Sequence, residues 1–398
     1  MRIGIDATSW ANDRGYGRYT REIVTAMVTE TPRHQFVCIL DDRSAERFTI
    51  QSPNVQRAVV AQRVAPTVAA STGSRRSLGD MARLSSAVWR ARLDAFYSPS
   101  VYGYFPVPPG LPFVVTIHDA IAERFPSLTL PTWRDRWSWR AKVRLAILQA
   151  RTVLTVSDYA AGQIEQYLGV PRRRTRVTLE GVADAFRPSA SPSEFDDVAA
   201  RLELTEWLAG ARWVVYVGGF GPHKHVDVLV RAHAEVLRRR PGLRLRLLLV
   251  GARKDGFHEE TAAIDSAIRS AGTEGDVRWL GFLPDEDLRH LHTNALALAL
   301  VSASEGFGLP AVECARCGTP VIATTESPLP SLLAGGGLFV PPGDPGSVAD
   351  AIERLVADEA ARRTLGARAR ERAGELSWRR AARVALDALE AAANRAEK

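Results

Sequence analysis

A short apolar run, a glycine-bearing loop and an amphipathic helix follow one another repeatedly along this chain, an order that points to parallel sheets flanked by helices. The clearest instance is LALALV at 296–301 followed by SEGFGLPAVECARCG at 304–318. A bounded apolar run without alternation reads as a strand buried on both faces. Pro310 suits the first position of the helix that follows, and Gly318 suits its left-handed exit. The backbone N–H groups of about Gly306 to Leu309 then gather at a helix N-terminus, where partial positive charge favours an anion, most naturally phosphate. Glu305 and Glu313 border the same small pocket.

Both halves open with this unit. Residues 2–7 read as a strand, and Gly15-Tyr16-Gly17 leads into RYTREIVTAMVTE, a glycine loop and helix. The dinucleotide fingerprint Gly-x-Gly-x-x-Gly is missing there, which argues against a nicotinamide cofactor. Strands are expected at 36–40, near 58, at 94–100, at 113–119 with His118-Asp119 at its end, at 152–158 and within 176–189. The run at 212–217 restarts the pattern with Gly218-Gly219-Phe220-Gly221-Pro222-His223-Lys224-His225 and a helix, and further strands alternate with helices to GGGLFVPPGDPG at 335–346. A doubly wound α/β architecture in two Rossmann-like domains follows, expected at 1–188 and 189–376, with PSASPSE at 188–194 as linker. The final helix, 377–398, is expected to pack back on the first domain.

A length of 398 residues exceeds one ordinary core, in keeping with two domains. No apolar run approaches the roughly 18 residues needed to span a bilayer, and three cysteines cannot build a disulfide framework, so a cytoplasmic location is expected. The net charge of +7 admits anionic small molecules, lipid surfaces or nucleic acid without choosing among them. Lysines are only Lys142, Lys224, Lys254 and Lys398, so one inside a glycine loop stands out. Residues 66–80 read as a mobile polar loop. Trp133, Trp137 and Trp139 interleave with arginines from 134 to 144, a pattern that suits an anionic bilayer surface but is better explained by tryptophans in the core and snorkelling arginines. Asp285-Glu286-Asp287 needs only a helix first turn to explain it, and Cys314 and Cys317 read as packing residues rather than metal ligands.

Two Rossmann-like halves, SEGFGLPAVECARCGTPVIAT, VGGFGPHKHVDVLVRAH, His118-Asp119 and GGLFVPPGDP together resemble glycosyltransferase family four, the retaining enzymes of GT-B fold, over nearly the whole chain. The resemblance implies a cleft between the domains, a nucleotide-sugar donor as co-substrate in the second, an acceptor in the first, and neither a bound metal nor a permanent cofactor. It implies that Glu305 stands against the donor sugar, that the Gly306-Phe307-Gly308-Leu309 backbone binds sugar hydroxyls and phosphate, that Glu313 holds the ribose diol, and that Lys224 pairs with the diphosphate. His118 matches a histidine near the reaction centre, with Asp119 beside it, and Gly15 and Gly17 match a loop close to the phosphates. Two positions depart from the pattern. Gly219 stands where many members carry arginine, leaving His223, Arg253 or the backbone alone to take its part, and Ser331 stands where glutamate is common. The Gly219 variant resembles a subset that often uses GDP-mannose, so the donor is expected to be GDP-mannose or a UDP-sugar. The acceptor, a lipid-linked sugar or a small metabolite, is not legible. No nucleic-acid partner is expected, contact with a membrane surface stays open, and no segment specifies an oligomeric state. A nucleotide-sugar epimerase and a non-catalytic nucleotide-sugar-binding partner of the same fold are the alternatives.

Overall fold

The computed structural model describes residues 1–63, 77–189, 191–253 and 260–394. Two compact units divide the chain, Met1–Gly181 with Ser377–Lys398, and Val182–Leu376.

The first unit is built on seven strands: β1 Arg2–Asp6, β2 Gln35–Leu40, β3 Val55–Val59, β4 Ala95–Ser98, β5 Phe113–Thr116, β6 Thr152–Thr155 and β7 Thr175–Val177. They pair in the order β3-β2-β1-β4-β5-β6-β7, every pair parallel. The second holds six: β8 Arg212–Val217, β9 Leu245–Val250, β10 Val277–Gly281, β11 Ala297–Leu300, β12 Val321–Thr324 and β13 Gly337–Val340, in the order β10-β9-β8-β11-β12-β13, again all parallel. The order reverses between β1 and β4 and between β8 and β11, as in dinucleotide-binding folds. Central strands such as FVVT and ALAL are buried at every residue because helices cover both faces. Each Val or Leu so removed from water contributes about 1.5–3 kcal/mol.

Chain entry into the second unit differs from a free linker. Ser189 Oγ lies 2.9 Å from the His290 ring and its N–H reaches Thr293, while Phe186 packs 6.1 Å from His292. A helix runs Pro192–Arg201, capped by Ser191. Serine before proline is a helix start as well as a linker composition, and here the helix wins. Residues 66–76 of the expected loop lie outside the described residues; Ser77 caps the helix Leu78–Arg90, its Oγ accepting from Asp80 N–H at 3.0 Å. The closing helix, Trp378–Asn394, lies on the helix Gly15–Glu30: Arg379 and Arg383 pair with Glu30, and Glu390 with His34.

The tryptophans of the helix Trp133–Gln149 correct the core assignment. Trp139 is buried with Val143 and Ala146, but Trp133 and Trp137 are 72% and 68% exposed. Helical phase is the reason, since positions 137 and 139 lie about 200° apart and cannot share a face. Leu145 and Leu148 join the exposed tryptophans beside the exposed Arg134, Arg140 and Arg144.

Trp139 donates its indole N–H to Glu123 at 2.7 Å. Burial is the main cause that pushes the Glu123 carboxyl from its ordinary 4.5 up to about 7. The folded state therefore binds this proton more tightly than the unfolded state, and stability contributed below pH 4.5 is lost as pH rises through 7. Glu123→Gln should raise the stability of the first unit by about 1–2 kcal/mol at pH 8 and leave it unchanged near pH 4. Urea titrations followed by tryptophan fluorescence at the two pH values check this.

Candidate active site

In an open parallel sheet, ligands sit beyond the carboxyl ends of the strands, where the strand order reverses. At that place in the second unit the loops after β8 and β11 meet. The loop after β8 makes one 3-10 turn, Pro222–Lys224, and enters the helix Val226–Arg239 through His225 at φ +51°. The carbonyl of His223 accepts the N–H of Ala303 at 2.8 Å, which joins the two loops through backbone. Their side chains join as well. Lys224 Nζ donates to Glu305 Oε1 at 2.8 Å, and Ser302 Oγ donates to the same oxygen at 2.6 Å. Glu305 is further held by its N–H, which donates to the carbonyl of Glu326 at 3.0 Å. Its side chain is 10% exposed and that of Lys224 21%, so the pair reaches solvent while sitting mostly out of it.

Three residues further on, Gly308 adopts φ +92° and caps the helix Leu309–Arg316. A Cβ there would also fall 2.9 Å from Leu329 Cδ1. Pro310 lies in the first turn, and Glu313 is buried within the helix, 2% exposed. The helix therefore presents its N-terminal N–H groups beside Glu305 and Lys224. Cys314 and Cys317 are buried, and burial pushes both thiols up, Cys317 to about 12, so they stay protonated packing groups. Among the described residues no cluster of three His, Cys, Asp or Glu could hold a metal. Glu286 and Asp287 instead pair with Arg289 and Arg201.

The Gly219 position brings no cation, and its carbonyl accepts the Tyr216 hydroxyl. Burial first, then the charges of Lys224 and His225, push His223 down to about 3, so it is neutral at physiological pH. Arg253 lies over the Trp279 ring at 4.5 Å and pairs with Asp265.

In the first unit the corresponding place is the end of β1, β4 and β5. His118 Nε2 lies 3.0 Å from the carbonyl of Pro99, and its Nδ1 lies 3.7 Å from Glu180 Oε1. Tyr19 meets the imidazole edge-on at 4.6 Å. Asp119 Oδ1 accepts the N–H of Ile121 and so shapes the turn after the strand. Gly15 and Gly17 stand in the first turn of the helix Gly15–Glu30, not in the preceding loop. A Cβ at position 17 would fall 2.1 Å from the carbonyl oxygen of Asn12, so the close approach that this glycine permits is to the chain's own backbone. Sequence reasoning missed Ser302, Glu180 and Tyr19. Ser302 stands three residues before Glu305 and Glu180 stands just beyond a strand, positions a search of strand ends would have flagged.

Known proteins share both halves. Residues 14–186 match Glycosyltransferase Family 4, and residues 206–372 match Glycosyl transferases group 1. An O-antigen chain mannosyltransferase B of Escherichia coli is 29% identical over 268 residues, 67% of this chain and 66% of that protein. A D-inositol 3-phosphate glycosyltransferase of Nocardia farcinica is 32% identical over 285 residues, 71% of this chain and 62% of that protein. The chain thus spans just under two thirds of the length of these curated relatives. The Anabaena protein HepE, solved in complex with UDP and glucose, superposes with a TM-score of 0.74 at 20% identity, covering 98% of this chain and 100% of its own, which shows a common fold, two Rossmann-like domains of the GT-B class.

The left-handed Gly308 gives a direct test of how the loop after β11 is held. Gly308→Ala should destabilise the second unit by about 1–2 kcal/mol, and introducing it into a Leu329→Ala background should cost most of that amount again, because the steric clash is relieved there but φ is not. Chemical denaturation of the single and double variants reads both effects.

Proposed function

Because the chain belongs to glycosyltransferase family four, we propose that it transfers a hexosyl unit from a nucleoside-diphosphate sugar to an acceptor hydroxyl, with retention at the anomeric carbon and without a metal ion. The observation that carries this reading is the Lys224–Glu305 pair at 2.8 Å, set at the strand-order reversal beside the N-terminus of the helix that bears Glu313.

Breaking the sugar–phosphate bond develops negative charge on the diphosphate and positive charge on an oxocarbenium-like ring. Lys224 and the helix N-terminus oppose the first, and Glu305, fixed by Ser302 and by its own backbone, faces the second. Glu313 would accept both hydroxyls of the ribose, since one carboxylate offers two acceptor oxygens. The Gly306-Phe307-Gly308-Leu309 backbone would hold sugar and phosphate oxygens. Among the described residues we assign none as a covalent nucleophile. Front-face attack is the reading, with the leaving phosphate taking the acceptor proton and His118 and Asp119 attending the reacting sugar.

The relatives support GDP-mannose or a UDP-sugar as donor: one is a mannosyltransferase, and HepE binds UDP. On the acceptor side, the exposed Trp133, Trp137, Leu145 and Leu148 among Arg134, Arg140 and Arg144 favour a lipid-linked sugar met at an anionic bilayer, where aromatic rings and guanidinium groups both find partners. No helix of the described residues is long and apolar enough to cross that bilayer.

A thermal-shift series with UDP, GDP, ADP and dTDP should single out one nucleotide, whose saturation at a hundred times its Kd adds about 2.7 kcal/mol to stability. With the matching nucleotide sugar, Glu305→Gln and Lys224→Ala should each lower diphosphate release at least about 100-fold. Binding without any release in the wild type would favour the non-catalytic alternative instead. Trp133→Ser with Trp137→Ser should weaken sedimentation with anionic vesicles by about tenfold while leaving nucleotide binding intact.

A further inference from the structure

Where the chain enters the second unit it is fastened by a run of polar groups whose hydrogens the geometry assigns. His290 stands on the helix Asp285–Asn294 with its side chain 6% exposed. Nε2 of the ring lies 2.9 Å from Nη2 of Arg289. A guanidinium donates and never accepts, so Nε2 keeps its lone pair. The ring hydrogen therefore sits on Nδ1, which donates to Oγ of Ser189 at 2.9 Å. The N–H of Ser189 donates to Oγ1 of Thr293 at 3.3 Å, and that hydroxyl donates to the carbonyl of Arg289 at 2.9 Å. Only a neutral imidazole can accept on one side and donate on the other, so this bridge requires one protonation state and one tautomer.

The charges around the ring oppose one another. On its own helix Arg289 is 5% exposed and Glu286 pairs with it at 2.5 Å, while Asp287 pairs with Arg201 of the helix Pro192–Arg201. Glu194, from that second helix, meets Arg289 at 3.4 Å. Glu194 and Glu286 each stand 3.8 Å from a ring nitrogen of His290, beyond hydrogen-bond reach. Cys317, which feels Arg289 from just past the helix Leu309–Arg316, stays a protonated thiol. His292 lies on another side of the helix, where it meets Phe186. Burial first and Arg289 second push the His290 imidazole below its ordinary range, against the pull of Glu194, Glu286 and Asp287.

We propose that His290 is an acid-released fastening of the chain entry, which bridges Arg289 to Ser189 while neutral and lets Ser189 go once a proton occupies Nε2. The proton comes from solvent and takes the lone pair that Arg289 now uses. Two N–H donors, both positively charged, then face each other across the 2.9 Å contact, and the ring moves off with the hydrogen bond it gives to Ser189. The folded state favours the neutral ring, so what the bridge contributes is complete above the ordinary imidazole range and is lost as pH falls. Release stays local, because Phe186 packs on His292 before Ser189 and Phe195 stacks on Trp213 of β8 after it.

The test uses the whole protein labelled with 15N, the His290 ring signals being assigned by their loss in His290→Gln or their shift in Ser189→Ala. At neutral pH the wild-type ring should carry hydrogen on Nδ1 and none on Nε2, and its titration midpoint should fall below the ordinary imidazole value. A hydrogen on Nε2 at neutral pH, a midpoint above the ordinary value, or a ring that stays neutral until the protein unfolds overturns the proposal. Hydrogen exchange of the Ser189 amide, corrected for its intrinsic rate, reads the release. In the wild type it should be about fivefold faster below the midpoint than at neutral pH, the worth of one hydrogen bond. Glutamine offers a donor and an acceptor without titrating, so His290→Gln should show no such difference. An amide indifferent to pH in the wild type, or equally sensitive in His290→Gln, overturns the proposal. If His290→Gln fails to fold, Ser189→Ala takes its place: the amide at that position should exchange at the released rate at both pH values, and a remaining difference counts against the bridge.

Discussion

A lysine and a glutamate held 2.8 Å apart join the loops after β8 and β11 of the second unit. Neither loop follows the other in the chain; they meet because the strand order turns back between β8 and β11. An ion pair so placed does not owe its presence to stability, since taking two charges partly out of water costs about as much as their attraction returns. Its effect is positional. Glu305 is constrained by Lys224, by Ser302 and by its own N–H on the carbonyl of Glu326, so the lysine paired with it is held in place as well. A site organised in this way meets developing charge without first having to rearrange.

Cations are used sparingly around that pair. Gly219 contributes only backbone, His223 is neutral, and Arg253 is committed to Trp279 and Asp265. Much of the positive character of this site therefore comes from peptide dipoles, which are fixed in direction and do not titrate. In the first unit an acid, Glu180, is buried behind the His118 imidazole, and the Tyr19 ring packs on that imidazole.

The strand-loop-helix units were readable because their chemistry is local. A bounded apolar run, a glycine and a helix start lie within some twenty consecutive residues, so β8, β11 and the loops after them could be placed from SEGFGLPAVECARCG and VGGFGPHKH alone. Features that depend on distant partners were not readable in the same way. Glu180 meets His118 across two intervening crossovers, and nothing near either residue specifies the other. Trp133 and Trp137 were assigned to the core from composition, whereas the phase of their helix relative to Trp139 turns them outward. The serines and prolines at 188–194 were compatible with a linker and with a capped helix, and only the packing of Ser189 on His290 decides between them.

The helix Trp378–Asn394 belongs to the first unit although nearly two hundred residues of the second separate it from the rest. It supplies Trp378 to Tyr19 and the basic partners of Glu30. During synthesis the second unit can therefore close before the first is complete. The sheet that carries His118 waits, without one of its covering helices, until residue 394 has left the ribosome. The first half of the chain is thus completed by residues that follow the whole of the second unit.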